Sequence, residues 1–286
     1  MRKKEAPPKI ITPELIISYA AALREQEKSA ATIQKYVHDL TALCDYLAGE
    51  PLTKTAMISW KEHLEKQYAA ASVNTMLAAM NGLLDFCGWG SLKVKPLKIQ
   101  KSMFCDEGKE LTRAEYIRLI RAAEQKKNMR LSLVLQAICA TGIRVSELKF
   151  ITAEAVKYGR TEINNKSKRR TVFLPEKLRR LLKKYLQEQG RTTGPVFVTK
   201  NEKPLDRSNI WRDMKDLCES ANVEPGKVFP HNLRHLFART YYSLEKDLSR
   251  LADILGHSNV NTTRIYTTES GAIHAQQMER MGLIIT

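Results

Sequence analysis

The sequence predicts a mainly α chain of two domains: a small four-helix module, then a larger, mostly helical domain with a small β-sheet or hairpin. Three observations predict it. Apolar residues recur at helical spacing through residues 12–90, with turn residues between the runs. An aperiodic, lysine-bearing stretch around Pro96 follows. Beyond it, helical patterns are interrupted by one pair of short segments with strand composition. With 286 residues and an apolar fraction of 43%, the chain can bury two cores and is not a disordered one.

The first helix is announced by Thr12-Pro13, a capping residue followed by proline in the first turn. Ser29 can cap a second, in which Ile33, Tyr36, Val37, Leu40, Leu43 and Leu47 share a face. Thr53 can open a third, with Met57, Trp60 and Leu64 aligned, and Ser72 a fourth, carrying Met76, Met80, Leu83, Leu84 and Cys87. Residues 93–108 are expected to be a basic linker, so the domains are placed at 1–92 and 109–286. In the second domain, Thr112 and Glu115 have capping-box spacing. An apolar helix is expected over 131–140, ending at Thr141-Gly142. Strands are expected at 161–163 and 171–174, joined by a polar turn, and helices over 176–188, 207–221, 231–243 and 248–256.

Charge narrows the function. The formal net charge is +16, from 47 Lys and Arg against 31 Asp and Glu, and about +13 of it falls in residues 107–286. Such an excess concentrates polyanions and favours phosphate contacts by counterion release, so nucleic acid is the first partner expected. No apolar stretch approaches the ~20 residues of a membrane helix, and the basic, proline-containing start is not a secretory signal. A soluble, cytoplasmic protein is expected. Its five cysteines (44, 87, 105, 139 and 218) are scattered without a CxxC pair, which fits buried thiols better than disulfides or zinc.

Three segments carry chemistry: Thr141-Gly142-Ile143-Arg144-Val145-Ser146-Glu147, His231-Asn232-Leu233-Arg234-His235, and Leu255-Gly256-His257 with Tyr266 nine residues past the histidine. Pro230 suits a helix start, so His231 and Arg234 should share a face near a helix N-terminus that favours an anion. Arg144 follows a chain break that can aim its guanidinium into a cleft, and two arginines can fork one phosphate. A tyrosine, poorly nucleophilic at its ordinary pKa of about 10, becomes competent once a phosphodiester is neutralised and held in line. His231 and His235 have the spacing of a metal pair. No glutamate of an HExxH motif lies between them, and no metal is expected.

Together these segments resemble the tyrosine recombinases, the phage-integrase and Xer-type enzymes, over about residues 107–270. The family pattern is an arginine in a Thr-Gly-x-Arg-x-Ser-Glu box, a hairpin lysine, His-x-x-Arg, Leu-Gly-His and a tyrosine. Arg144, His231, Arg234, His257 and Tyr266 fill those places. The hairpin reads Asn165-Lys166-Ser167-Lys168-Arg169-Arg170, without the family's glycines and one residue shorter, so Lys166 is favoured as the catalytic lysine and Lys168 is its rival. Glu147 and His235 are expected to support the site. Lys93, Lys95, Lys98, Lys101, Lys168, Arg169 and Arg170 are expected DNA contacts.

The resemblance implies a core-binding, SAM-like module before a catalytic domain, closing around duplex DNA as a C-shaped clamp. It implies a 3′-phosphotyrosyl intermediate formed without metal, ATP or other cofactor. It implies a homotetramer on a specific core site, with integration or excision of a mobile element among the outcomes and an accessory protein left open. Ile273, Met278, Met281, Leu283, Ile284 and Ile285 form an apolar tail; in this family such tails often dock onto a neighbouring protomer, and packing within its own subunit is the alternative. The chain is similar to the compact members that lack an arm-binding domain. Two alternatives stand beside this reading, a type IB topoisomerase-like strand transferase and a catalytically silent DNA-binding protein on the same fold.

Overall fold

The computed structural model describes residues 8–99, 107–165, 168–267 and 278–283. The chain divides into two compact units, Met1–Lys101 and Ser102–Thr286.

The first unit is built from helices α1 (Pro13–Glu25), α2 (Ala30–Leu47), α3 (Lys54–Gln67) and α4 (Ala70–Phe86). Thr12, Ser29 and Thr53 each accept a hydrogen bond from the third backbone N–H of their helix, satisfying donors that a helix start leaves unpaired. The fourth helix starts differently from the sequence expectation. Ala69 is its N-cap without any side-chain bond, and Ser72 already lies inside, because the alanine run at 69–71 favours helix from its outset. Leu40, Leu43, Met57, Leu64, Leu77, Met80, Leu83 and Leu84 fill the core. Gly82 lets α4 meet α1 closely, since a Cβ there would stand 2.3 Å from the Tyr19 hydroxyl.

The expected linker begins later than residue 93. Asn81 exchanges two hydrogen bonds with the backbone of Val94 (2.9 and 3.1 Å), and Asn74 does the same with Leu97 (2.9 and 2.7 Å). Both asparagines lie on one face of α4, and their amides imitate the donor and acceptor of a neighbouring strand. Val94 is consequently buried, and this stretch belongs to the first unit.

In the second unit, α5 (Arg113–Gln125) opens with the capping box of Thr112 and Glu115. Then come α6 (Met129–Thr141), a 3₁₀ turn at Val145–Phe150, α7 (Ala153–Tyr158) and the antiparallel pair β1 (Arg160–Asn165) and β2 (Lys168–Phe173). The remaining helices are α8 (Glu176–Glu188), α9 (Arg207–Lys215), α10 (Cys218–Ala221), α11 (Pro230–Glu245) and α12 (Leu248–Leu255). The expected helix over 207–221 is split, with Asp216 and Leu217 turning the chain between α9 and α10. The strands also run further into the polar segment than composition suggests, pairing out to Asn165 and Lys168. Ile163 and Val172 face the core, whereas the polar residues beyond them extend the ladder through backbone bonds that any side chain permits.

Helix α6 is the centre of this unit. Leu131, Leu133, Val134, Leu135, Ala137 and Ile138 are all buried, so the helix is covered on nearly every side. It ends at Gly142, whose φ of +65° makes the left-handed turn, and a Cβ there would lie 2.4 Å from the Phe237 ring on α11. That close approach seats the turn bearing Arg144 against the helix bearing His231 and Arg234. Among the described residues, no helix is long and apolar enough to cross a membrane.

Candidate active site

Four separate segments of the second unit meet around Tyr266. The turn after α6 supplies Arg144, the first turns of α11 supply His231 and Arg234, the cap of α12 leads to His257, and a 3₁₀ turn at Arg264–Tyr266 supplies the phenol. Tyr266 packs with Ala238, Leu251 and Leu255, which leaves it 4% exposed.

Arg234 ties the segments together. Only 1% exposed, it donates to the carbonyls of Gly142 (2.5 Å) and Leu255 (2.7 Å) and to Nε2 of His257 (3.1 Å). Because Nε2 accepts there, the ring proton of His257 sits on Nδ1, which lies 2.8 Å from the hydroxyl of buried Thr263. Burial, followed by the nearby Arg144 charge, brings Arg234 down to about 10, so it remains a cation at neutral pH.

Arg144 is the more accessible guanidinium, with about a third of its side chain exposed. Its backbone N–H and one guanidinium nitrogen donate to Glu147 (2.7 and 3.0 Å), and its other nitrogen reaches the Gly256 carbonyl at 3.5 Å. Arg170 of β2 grips the same carboxylate through two nitrogens, at 3.0 and 2.7 Å. Burial alone would raise the Glu147 carboxyl, but the bonds from Arg170 and the Arg144 N–H hold it below the ordinary carboxylate range.

The aromatic side chains form a row. His231 and His235 pack edge to face at 4.5 Å, His235 meets the Tyr266 ring at 5.1 Å and 83°, and His257 lies nearly parallel to Tyr266 at 6.4 Å. Partial burial, then His235, Arg234 and Arg144, bring His231 down to about 4, although its ring still meets solvent. Burial followed by Arg234, Arg144 and Arg170 brings His257 to about 4 as well. Burial pushes the Tyr266 phenol up, and Arg234, by charge and hydrogen bond, pulls it only part of the way back. The centre is therefore a cationic pocket with neutral imidazoles and a protonated phenol, an arrangement suited to an anion.

Residues 109–272 match the phage integrase family model, and residues 16–89 match that of the phage integrase N-terminal SAM-like domain. The chain belongs to the phage integrase family. Among curated members it is 27% identical to tyrosine recombinase XerA of Pyrococcus furiosus over 285 residues, 96% of either chain. It is 29% identical to tyrosine recombinase XerD of Haemophilus influenzae, over 85% of this chain and 89% of that one. Its fold is shared with lambda integrase (75–356) bound as a dimer to a COC′ core site, at a TM-score of 0.75 and 17% identity, over 91% of this chain and 96% of that one. It is also shared with XerH bound to difH, at 0.71 and 20% identity, over 96% and 85% of the two chains.

For this tyrosine recombinase homologue, the structure brings together Arg144, His231, Arg234, His257 and Tyr266, with Glu147 and His235 beside them. Lys166 and Lys101 lie outside the described residues, and Lys168 begins β2, its backbone paired with Asn165. Lys95, Lys98 and Arg169 are exposed. Lys93 is instead paired with Asp85 at 2.7 Å. Arg170, also expected among the DNA contacts, has its guanidinium held by Glu147 and 12% of its side chain exposed. Sequence reasoning missed Thr263, Arg239 and Glu110. The last lies two residues before the capping threonine of α5, with nothing local to mark its partners on α11.

Proposed function

We propose that this integrase-family protein is a site-specific DNA recombinase in which Tyr266 attacks the scissile phosphate, forming a 3′-phosphotyrosyl link and releasing a 5′-hydroxyl. The observation that carries this reading is the gathering of Arg144, Arg234 and His257 about one buried phenol, with His231 packed on the His235 ring that meets it. Arg144 and Arg234 would neutralise the phosphoryl oxygens, which builds the largest electrostatic contribution before the reaction begins. A neutral His231 can serve as an acid–base or hydrogen-bond partner, and His257 can donate to a phosphate oxygen once Arg234 turns toward that oxygen and the ring proton moves to Nε2, with the Thr263 hydroxyl then donating to Nδ1. Lys166, carried by the β1–β2 connection, is the proposed acid that protonates the departing 5′ oxygen, with Lys168 as its rival.

The phosphotyrosyl bond conserves the energy of the bond it replaces, so rejoining needs only the reverse attack by a 5′-hydroxyl. Exchange between two duplexes requires four such sites. On that ground we take the working form to be a homotetramer on a core site, in the cytoplasm, with the first unit contacting flanking DNA. A lambda integrase tetramer bound to a Holliday junction shares this fold at a TM-score of 0.72. In the tail, Met278, Met281 and Leu283 are exposed, which suits docking onto another protomer; the rest of that segment lies outside the described residues.

The test is covalent trapping. The protein is incubated with fragmented DNA of its source organism, denatured in SDS, and the attached DNA is sequenced. Wild type should retain DNA at a defined site and Tyr266→Phe should retain none. Equal retention by both would remove Tyr266 as the nucleophile.

A further inference from the structure

The chain enters the second unit along α11, and three consecutive residues fasten it there. The Lys109 carbonyl accepts from Asn232 at 3.0 Å, and the Leu111 carbonyl accepts from Arg239 at 3.0 Å. Between them, Glu110 places one carboxylate oxygen 3.4 Å from Nδ1 of His235 and the other 3.2 Å from the Arg239 guanidinium. Each of these partners lies on the helix that also carries His231 and Arg234.

His235 is the connection to the chemistry. Its ring stands at 83° to Tyr266, with centroids 5.1 Å apart, and also packs edge to face on His231 at 4.5 Å. An imidazole between two rings can swing or flip about its terminal torsion unless a polar contact fixes it. The bond from Nδ1–H to Glu110 supplies that fix, and Nε2 is buried without a hydrogen-bond partner among the described residues. The His235 bond, outweighing the cost of burial, keeps the Glu110 carboxyl below its ordinary range and so ionised at neutral pH.

We propose that Glu110 is a positioning residue for the nucleophile, setting the ring of Tyr266 through His235 and tying it to the point where the chain enters the second unit. The inference rests on the assignment of Tyr266 as nucleophile. Glu110 touches no reacting atom. Its effect is on the placement of the phenol, and misplacing a reacting group by an ångström costs about a hundredfold in rate. An ordinary structural ion pair with Arg239 would show no such effect once the protein is folded.

Two measurements on the full-length protein separate these cases, using Glu110→Ala and Glu110→Gln. The glutamine keeps an oxygen able to accept from His235, and the alanine does not. The first measurement is the single-turnover rate of covalent-complex formation at saturating DNA, on the fragment recovered by wild-type trapping, with the dissociation constant for that fragment measured alongside. Glu110→Ala should slow the rate about ten- to a hundredfold while changing binding less than twofold, and Glu110→Gln should restore most of it. The second is the ring resonance of Tyr266 in ¹³C-tyrosine-labelled protein without DNA, assigned by Tyr266→Phe. It should move in Glu110→Ala and return toward the wild-type position in Glu110→Gln.

An unmoved resonance in Glu110→Ala overturns the proposal, whether or not the protein cleaves DNA. So does a rate that falls only in parallel with binding. If wild type traps no DNA while the resonance moves as expected, the positioning of the ring stands and the assignment of the chemistry fails.

Discussion

Arg170 and Glu147, 23 residues apart, form a two-nitrogen, two-oxygen pair that locks the β1–β2 hairpin to the turn carrying Arg144. The Glu147 side chain is 2% exposed and that of Arg170 12%, so neither charge can turn to water if its partner is lost. Removing one partner of such a pair costs about 3–5 kcal/mol. Arg170→Ala should lower the urea midpoint accordingly, and Glu147→Ala by as much or more because it also frees Arg144. A loss below about 1 kcal/mol in either variant would show that the pair is already solvated.

Acid should weaken the unliganded protein in a defined window. His231 and His257 titrate near 4 in the folded chain, against about 6.5 for an unfolded histidine. Between those values the unfolded chain binds more protons, so stability is full above about pH 6.5 and falls as pH drops through about 4. Glu110 and Glu147, both held low, extend the loss below the ordinary carboxylate range. Denaturant midpoints between pH 7 and pH 4 measure this. His257→Gln should flatten the slope, and an unchanged slope would contradict the value assigned to His257.

The clasp between α4 and the following strand-like stretch predicts a protease phenotype. Asn81→Ala or Asn74→Ala deletes two hydrogen bonds, about 1–3 kcal/mol per residue. Trypsin should then cut after Lys93 or Lys98 faster than in wild type, with the double variant fastest, while Lys95 is protected by Pro96 in every case. Equal digestion rates would mean that burial of Val94 alone holds the segment.

Gly142 should tolerate no side chain. Its φ is +65° and a Cβ would press on the Phe237 ring at 2.4 Å, so Gly142→Ala is expected to cost about 3 kcal/mol. Because its carbonyl is an Arg234 acceptor, covalent trapping should fall further than stability alone explains. A variant that keeps full trapping would show that the turn can re-form without a left-handed residue.

Local signals made much of this fold legible from the chain. Thr12, Ser29, Thr53 and Thr112 each cap the helix they announce, since a cap is decided within three residues of its donor. Ser72 shows the limit of that signal, because a run of alanines can start a helix with no cap at all. The catalytic segments were legible for another reason: each holds its residues at fixed spacing, so the motif survives without knowledge of the fold. What stayed hidden depends on long-range partners. Nothing near Asn74 or Asn81 marks them as backbone mimics for a strand beyond their own helix. Nothing near Arg170 says that its charge is spent on Glu147, or near Glu110 that its histidine lies 125 residues away.

Arg234 is the one feature whose consequence reaches the biology of handling DNA. Three of its N–H groups are committed to the Gly142 and Leu255 carbonyls and to His257. On the proposed chemistry, the guanidinium's remaining N–H groups are those it can offer an encountered phosphate without breaking one of these bonds. Arg234 thus enters the proposed reaction as part of the frame, a cation whose place is set before any DNA arrives.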